Sequence, residues 1–286
     1  LAEQAGLPLA IARCRPRLVH LPTPFVPLVV PAPFVMTIHD LIDLHYPQFG
    51  KRKVVPYYRY AVAPVARRAR AVITDDDATA ADLERFLRVR PERIRIVPLG
   101  VDLPAPAEPA AVVTPPYFFY AGNHRGHKNL ETLVRAWAAL PADLCVDLVF
   151  TGSDDVGSAF AGQSRERGRL IFAGNLSDAE LIARFRAARA YVHPALREGF
   201  GLPLLEAMRA GVPVIAAAPA LPRILAPHAV TFAARDWSAL RDVLCAVLTE
   251  PASFAARARA AQAATRELTW ERTARATAAV YREFVR

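Results

Sequence analysis

Cysteine is nearly absent: Cys14, Cys145 and Cys245 are the only three, and they are far apart. That spacing excludes a disulfide scaffold and a thiolate metal site of the usual kind. An odd, unpaired set in apolar stretches is expected to be core thiols of a cytoplasmic protein. Long apolar runs are also missing. None reaches the roughly 18 residues of a membrane span. The nearest candidate, Leu18 to Ile38, is interrupted by prolines and by His20, so it reads as strands and loops. Repeats of solenoid length are absent as well.

Acidic residues are in deficit. There are 27 against 36 basic ones, a net charge of +9 and a pI of about 9.9. Such a balance fits phosphorylated ligands, nucleic acid or an anionic membrane surface. Much of it is Arg set among Ala, as in Arg67-Arg68-Ala69-Arg70 and Arg257-Ala258-Arg259. The plain reading is a solvated helix face, and the functional alternative is a weak contact with a membrane surface. Aromatics do not interleave with the basic residues and no nucleic-acid motif is present, so no nucleic-acid partner is expected.

What is abundant is apolar: 53% of the 286 residues, enough for one large or two ordinary domains. Short runs bounded by turn residues alternate with helical patterns. In the first part, 17–21, 34–38, 71–74 and 94–97 read as strands, and 57–70 and 79–87 as helices. Between Asp102 and Pro116, five prolines in fifteen residues deny both helix and ladder hydrogen bonds, which marks an interdomain linker. Beyond it the alternation restarts, with strands at 117–121, 146–151, 170–173, 190–193 and 212–217. Helices are expected at 129–140, 177–188 (capped by Ser177) and 203–210. The tail from Ala239 reads as helices broken near Pro251 and Thr269. Such alternation implies parallel sheets, here an α/β chain of two Rossmann-like domains facing across a cleft. The expected boundaries are 1–108, 109–270 and a closing helix at 271–286.

Three stretches could carry chemistry. Arg197-Glu198-Gly199-Phe200-Gly201-Leu202-Pro203-Leu204-Leu205-Glu206 follows a strand and opens a helix. A helix start offers free N–H groups and a positive dipole end to a phosphate, and glycines let a ligand approach. Proline in the first turn costs no hydrogen bond. Glu198 and Glu206 can point at two ends of one ligand. The plainer reading is a glycine-bearing helix start with two surface glutamates. Gly122-Asn123-His124-Arg125-Gly126-His127-Lys128-Asn129 likewise joins strand to helix. It is either a diphosphate clamp built on Arg125 and Lys128 or a solvated basic loop. Thr37-Ile38-His39-Asp40 ends a strand. His39 could hydrogen-bond a sugar hydroxyl with Asp40 orienting its ring, or form a structural His–Asp pair.

In this order and spacing the three stretches resemble glycosyltransferase family 4, retaining enzymes of the GT-B fold, and among them bacterial mannosyltransferases of surface-polysaccharide synthesis. The likeness runs through nearly the whole chain. It is carried by Glu198-x7-Glu206 around Gly-Phe-Gly, by Gly122 to Leu130, and by Ala207 to Ile215. Thr37 to Leu41, Ile96 to Asp102 and the closing Trp270-Glu271-Arg272 extend it. The resemblance implies that Glu198 contacts the donor sugar and Glu206 the ribose hydroxyls. Phe200, Gly201 and Leu202, beside Gly199, would offer N–H groups to the diphosphate. Lys128, with Arg125 as second cation and Gly122 and Asn123 in the same loop, would bind the diphosphate, and His39 would lie beside the sugar.

The implied reaction moves a sugar, mannose favoured, from a nucleotide-diphosphate sugar to a glycan or lipid-linked acceptor. GDP-mannose is the favoured donor and UDP-glucose the runner-up. No metal and no cofactor is expected, the nucleotide sugar being a substrate. Asp75-Asp76-Asp77 and Asp154-Asp155 are read as helix-start and loop carboxylates. The implied location is the cytoplasm, with peripheral contact at the inner membrane face. Against the family pattern, the opening strand and glycine-rich loop are missing, so the first domain is expected to be incomplete. Pro222-Arg223 stands where Pro-Glu is common. A sugar-nucleotide epimerase and an inactive donor-binding module are the rival readings.

Overall fold

A computed structural model describes residues 2–50, 53–103, 114–153 and 168–285. Most of the proline-rich 102–116 stretch and both residues of Asp154-Asp155 lie outside the described residues. The chain divides into two compact units, Leu1–Gly100 with Leu268–Arg286, and Val101–Glu267.

The first unit holds a four-stranded parallel sheet in the order β1 (Val19–Leu21), β2 (Phe34–Thr37), β3 (Val72–Thr74), β4 (Ile94–Ile96). Its helices are α1 (Ala2–Cys14), α2 (Ile42–His45), α3 (Val54–Tyr57), α4 (Ala63–Arg68) and α5 (Asp77–Asp82). The helix expected at 57–70 starts earlier, at Val54. It widens between α3 and α4, where Tyr58–Val62 is π-helical and Ala63 N–H reaches back to the Tyr58 carbonyl. Pro64, next in line, has no N–H to give, which disfavours regular α-helical bonding there. Helix α1 was not legible, because its apolar residues form no clear stripe and Pro8 lies inside it.

The second unit holds six parallel strands: β5 (Tyr117–Tyr120), β6 (Asp147–Phe150), β7 (Leu170–Phe172), β8 (Ala190–His193), β9 (Val214–Ala217) and β10 (Val230–Phe232). Their order is β10-β9-β8-β5-β6-β7. Counted within the unit this is the doubly wound order, which reverses between β5 and β8. Strands β5, β6, β8 and β9 are buried throughout, as strands covered on both faces must be. The helices are α6 (Leu130–Ala138), α7 (Asp178–Ala187), α8 (Leu202–Ala210), α9 (Trp237–Thr249) and α10 (Pro251–Ala264). Leu130, Leu133, Val134 and Trp137 give α6 its buried stripe, and the Trp137 indole donates to the Val146 carbonyl at 2.9 Å. Ser177 caps α7 in a full capping box with Glu180.

The final helix, α11 (Trp270–Arg282), belongs to the first unit. Thr269 caps it, Val280 packs among Val35, Ala71, Ile73 and Val97, and Thr273 donates to the Pro98 carbonyl at 2.8 Å. A Cβ on Gly100 would overlap the Thr269 carbonyl group, so only glycine fits beneath the start of α11.

The cysteines correct the sequence reading. Cys14 and Cys145 are exposed and Cys245 is half-buried. Cys14 is the last residue of α1, Cys145 lies in the connection from α6 to β6, and Cys245 sits at the margin of the core on α9. Apolar neighbours in sequence did not mean apolar neighbours in space. No described helix is long and apolar enough to cross a membrane.

Candidate functional site

In an open α/β sheet, ligands bind beyond the carboxyl ends of the strands where the strand order reverses. In the second unit that point lies between β5 and β8. The loop after β5 carries Gly122 to Asn129, and the loop after β8 carries Pro194 to Gly201. The two loops are bonded together: Leu196 N–H donates to the His127 carbonyl at 2.8 Å, and the Asn129 amide to the Pro194 carbonyl at 3.0 Å. Asn129, expected as the first helical residue, instead takes a left-handed conformation (φ 55°) ahead of α6, which asparagine tolerates better than most residues. That turn carries the short helical segment Gly126–Lys128, on which Lys128 is buried.

Across the gap, Gly201 sits at φ 72° as the residue before α8. The Leu204 and Leu205 N–H groups return to the Gly201 carbonyl at 2.8 and 3.3 Å, and Pro203 has no N–H. The start of α8 therefore presents the unspent donors and the positive dipole end common to helix N-termini. Phe200 is buried, and Glu206 is half-buried on the following turn.

The centre of the arrangement is ionic. Lys128 Nζ donates to Glu198 Oε1. His193 Nε2 lies 2.7 Å from the same oxygen. His193 Nδ1 lies 2.8 Å from the Tyr191 hydroxyl, itself 3.2 Å from the Ala121 carbonyl. Tyr120 stacks on the His193 ring, and its hydroxyl donates to the Asn123 carbonyl at 2.7 Å. Burial would push the Glu198 carboxyl up, but His193 and then Lys128 outweigh it and hold the carboxyl down at about 2. Glu206 is shifted the other way, upward, by burial and by Asp178. Arg125 and Asn123 are exposed, and Arg125 N–H bonds the Asn123 side chain at 3.3 Å.

Lys128 and Glu198, expected in two separate stretches, are in contact in the fold. His193 and Tyr191, expected only as strand residues, join them. A histidine and a tyrosine on the same face of a strand otherwise built from Ala and Val was the available signal.

His39 belongs to the first unit, at the carboxyl end of β2. Its Nδ1 lies 2.7 Å from Asp75 Oδ2. Asp40, expected to orient the ring, instead accepts the Ile42 N–H at 3.0 Å. This corrects the sequence reading on two counts, since Asp75 was read as a helix-start carboxylate. Asp76 is the N-cap of α5, accepting the Thr79 N–H at 2.8 Å, and Asp77 begins that helix. Asp75, one residue earlier at the end of β3, is buried toward the neighbouring strand. The His39 imidazole is raised above its ordinary value by the hydrogen bond to Asp75, against the opposing effect of burial. Burial raises Asp75 in turn, partly offset by His39.

Comparisons with known proteins show the family and the fold. Residues 105–267 match the family described as glycosyl transferases group 1, and residues 1–105 match glycosyltransferase family 4. The chain is 28% identical over 63% of its length to O-antigen chain mannosyltransferase B of Escherichia coli, covering 52% of that protein. It is 31% identical over 51% of its length to the serotype-specific mannosyltransferase WbdA of Escherichia coli, covering 19% of it. It thus spans about half of the first relative and less of the second. Among solved structures, Anabaena Alr3699/HepE in complex with UDP and glucose superposes with a TM-score of 0.79 at 18% identity, over 99% of this chain and 83% of that one. The two parallel-sheet α/β units have the GT-B type of fold, and the chain belongs to the glycosyl transferases group 1 family.

Proposed function

We propose that the chain is the donor-binding and transfer portion of a retaining glycosyltransferase that moves a hexose, mannose in the favoured case, from a nucleotide-diphosphate sugar to a glycan or lipid-linked acceptor. The observation that carries this reading is the contact of Lys128 with Glu198 at the reversal point of the sheet, beside the amino end of α8. A buried lysine and a helix start at one spot form a site for a dianion.

Departure of the sugar leaves negative charge on the β-phosphate. Lys128, Arg125 and the N–H groups of Phe200 to Leu202 are assigned to stabilise it without a metal. Gly122, Asn123 and Gly199 let the phosphates come close. Glu198 is assigned to the donor sugar and Glu206 to the ribose hydroxyls. His39 is assigned to a sugar hydroxyl on the strength of the family resemblance. The mannosyltransferase names among the relatives favour mannose, while the UDP and glucose bound by HepE keep UDP-glucose as runner-up.

The test is transfer of labelled sugar from GDP-mannose and UDP-glucose into a glycan or lipid acceptor, by the wild type and by Lys128→Ala. The variant should stay folded and lose about 10²–10³ in turnover, the usual loss for one donor to a developing anion. Undiminished turnover would remove Lys128 from the chemistry. Conversion of the donor sugar without transfer would replace this reading with an epimerase.

A further inference from the structure

The buried chain of polar groups behind Glu198 exceeds what binding a diphosphate requires. Tyr191 and His193 alternate with Val192 along β8, with relative exposures of 0% and 1%. Buried polar side chains cost free energy unless fully hydrogen-bonded. These two are bonded in series, from the Ala121 carbonyl to the Tyr191 hydroxyl, to His193 and to Glu198 Oε1. Every link is a strand residue or lies within one loop of a strand, so the ring of His193 is held on a rigid base.

Glu198 Oε1 is shared by two donors, Lys128 and His193. They differ in freedom. Lys128 ends a flexible four-carbon stem on a loop, whereas His193 is clamped by Tyr191 and covered by Tyr120. A diphosphate competes with Glu198 for Lys128 and offers it more charge. Binding a donor in this way removes the lysine from the carboxylate and leaves the histidine.

We propose that His193 is a positioning residue of the transfer reaction: fixed by Tyr191, it holds Glu198 Oε1 in place when Lys128 is drawn to the donor diphosphate. The inference rests on the donor site proposed above. Both donors favour the ionised form of Glu198 against its burial, and the bond from His193 gives the carboxylate a partner that does not depend on Lys128. Tyr191 and Tyr120, the other titratable groups against the ring, keep their protons, since burial raises both. The hydroxyl of Tyr191 has one proton for two neighbours. It donates to Nδ1 when the ring is neutral. It donates to the Ala121 carbonyl when the ring carries both protons. The bond from Nε2 to Glu198 survives in either state.

Two polar variants separate this role from simple packing. His193→Gln sets an amide nitrogen near the position of Nε2 and can still donate to Glu198. His193→Asn reaches only the position of Nδ1 and cannot. Steady-state kinetics with saturating acceptor should show His193→Gln within about tenfold of the wild-type kcat and His193→Asn about 10²-fold down, as for other losses of a preorganised contact. The donor KM should stay within about threefold in both, since neither touches the phosphates. Tyr191→Phe should fall between them. Equal kcat for Gln and Asn variants of matched Tm, whether both fast or both slow, would overturn the proposal while transfer by the wild type stood. A wild type that binds nucleotide sugar but transfers nothing would sink the proposed reaction, and this inference with it.

Discussion

At the scale of single residues, two ionisable groups move in opposite directions and set two pH windows. Glu198 is depressed from 4.5 to about 2, although burial alone would raise it. A depressed carboxyl stabilises the fold above its unfolded value and loses that contribution as pH falls through the folded value. Glu198→Gln should therefore cost a constant amount of Tm near neutrality, and the cost should shrink between pH 4.5 and 2. A Tm difference that is flat across that range would deny the ion pair. His39 is raised from 6.5 by Asp75. Its contribution is complete below the unfolded value and fades as pH climbs through the folded one. His39→Asn should thus lower Tm more at pH 6 than at pH 9. The effect should be small, because half of the ring is solvent-exposed. Melting curves across pH read both windows. Neither pairing was fully legible in sequence. His39 and Asp75 are 36 residues apart, as are their strands, and only the parallel pairing of β2 with β3 makes them neighbours.

At the scale of elements, local chemistry wrote most of the structure. The capping box of α7 could be anticipated from Ser177 and the run behind it, and Ser177→Ala should cost about 1 kcal/mol in urea unfolding. The turn into α8 is a stricter case. Gly201 lies at φ 72°, and a Cβ there would stand 2.7 Å from the Leu204 side chain. The leucine end can move, but the backbone angle cannot be relieved, so Gly201→Ala should cost about 1–2 kcal/mol. It should also weaken nucleotide-sugar binding, because the same turn aims the N–H groups at the start of α8; titration calorimetry would measure that. Among the named strands and helices, α1, α2 and β10 escaped the sequence; α2, Ile42–His45, is a single turn of four residues, too short to show a period. Strand β10 is three residues, Val230 to Phe232, too short to show alternation. Helix α1 lacks an apolar stripe. The helices around Pro64 and at Leu83–Leu87 widen into π turns that propensity does not foresee.

At the scale of the whole molecule, the chain leaves its first unit at Gly100 and returns at Leu268 to add α11. The return is held by short-range fits: Thr273 on the Pro98 carbonyl, Tyr281 on His20 at 2.6 Å, and a paired contact of Arg95 with Glu283. Because a Cβ on Gly100 would collide with the backbone before α11, Gly100→Val should loosen that helix and expose it to limited proteolysis, while nucleotide-sugar binding by the second unit persists. A thermal-shift series with UDP-, GDP- and ADP-sugars reads the donor itself. A ligand at a hundred times its Kd stabilises by about 2.7 kcal/mol, so the preferred base should stand out.

The sequence by itself determined the class of the fold and singled out two loops that the structure sets where the strand order reverses. Strand-forming runs alternating with helical periods admit a parallel sheet, and glycine, proline and charged residues after a strand mark the turn from strand into helix that the proposed function assigns to a phosphate. These are local properties, carried by neighbours in the chain. Only the tertiary structure decided which charges meet. Lys128 and Glu198 are 70 residues apart. Their contact, the support of Glu198 by His193, and the choice of Asp75 over Asp40 for His39 all follow from strand order. Sheet order places residues across a gap of a few ångströms, and ion pairing and burial depend steeply on that distance. No period or motif within a single stretch encodes it.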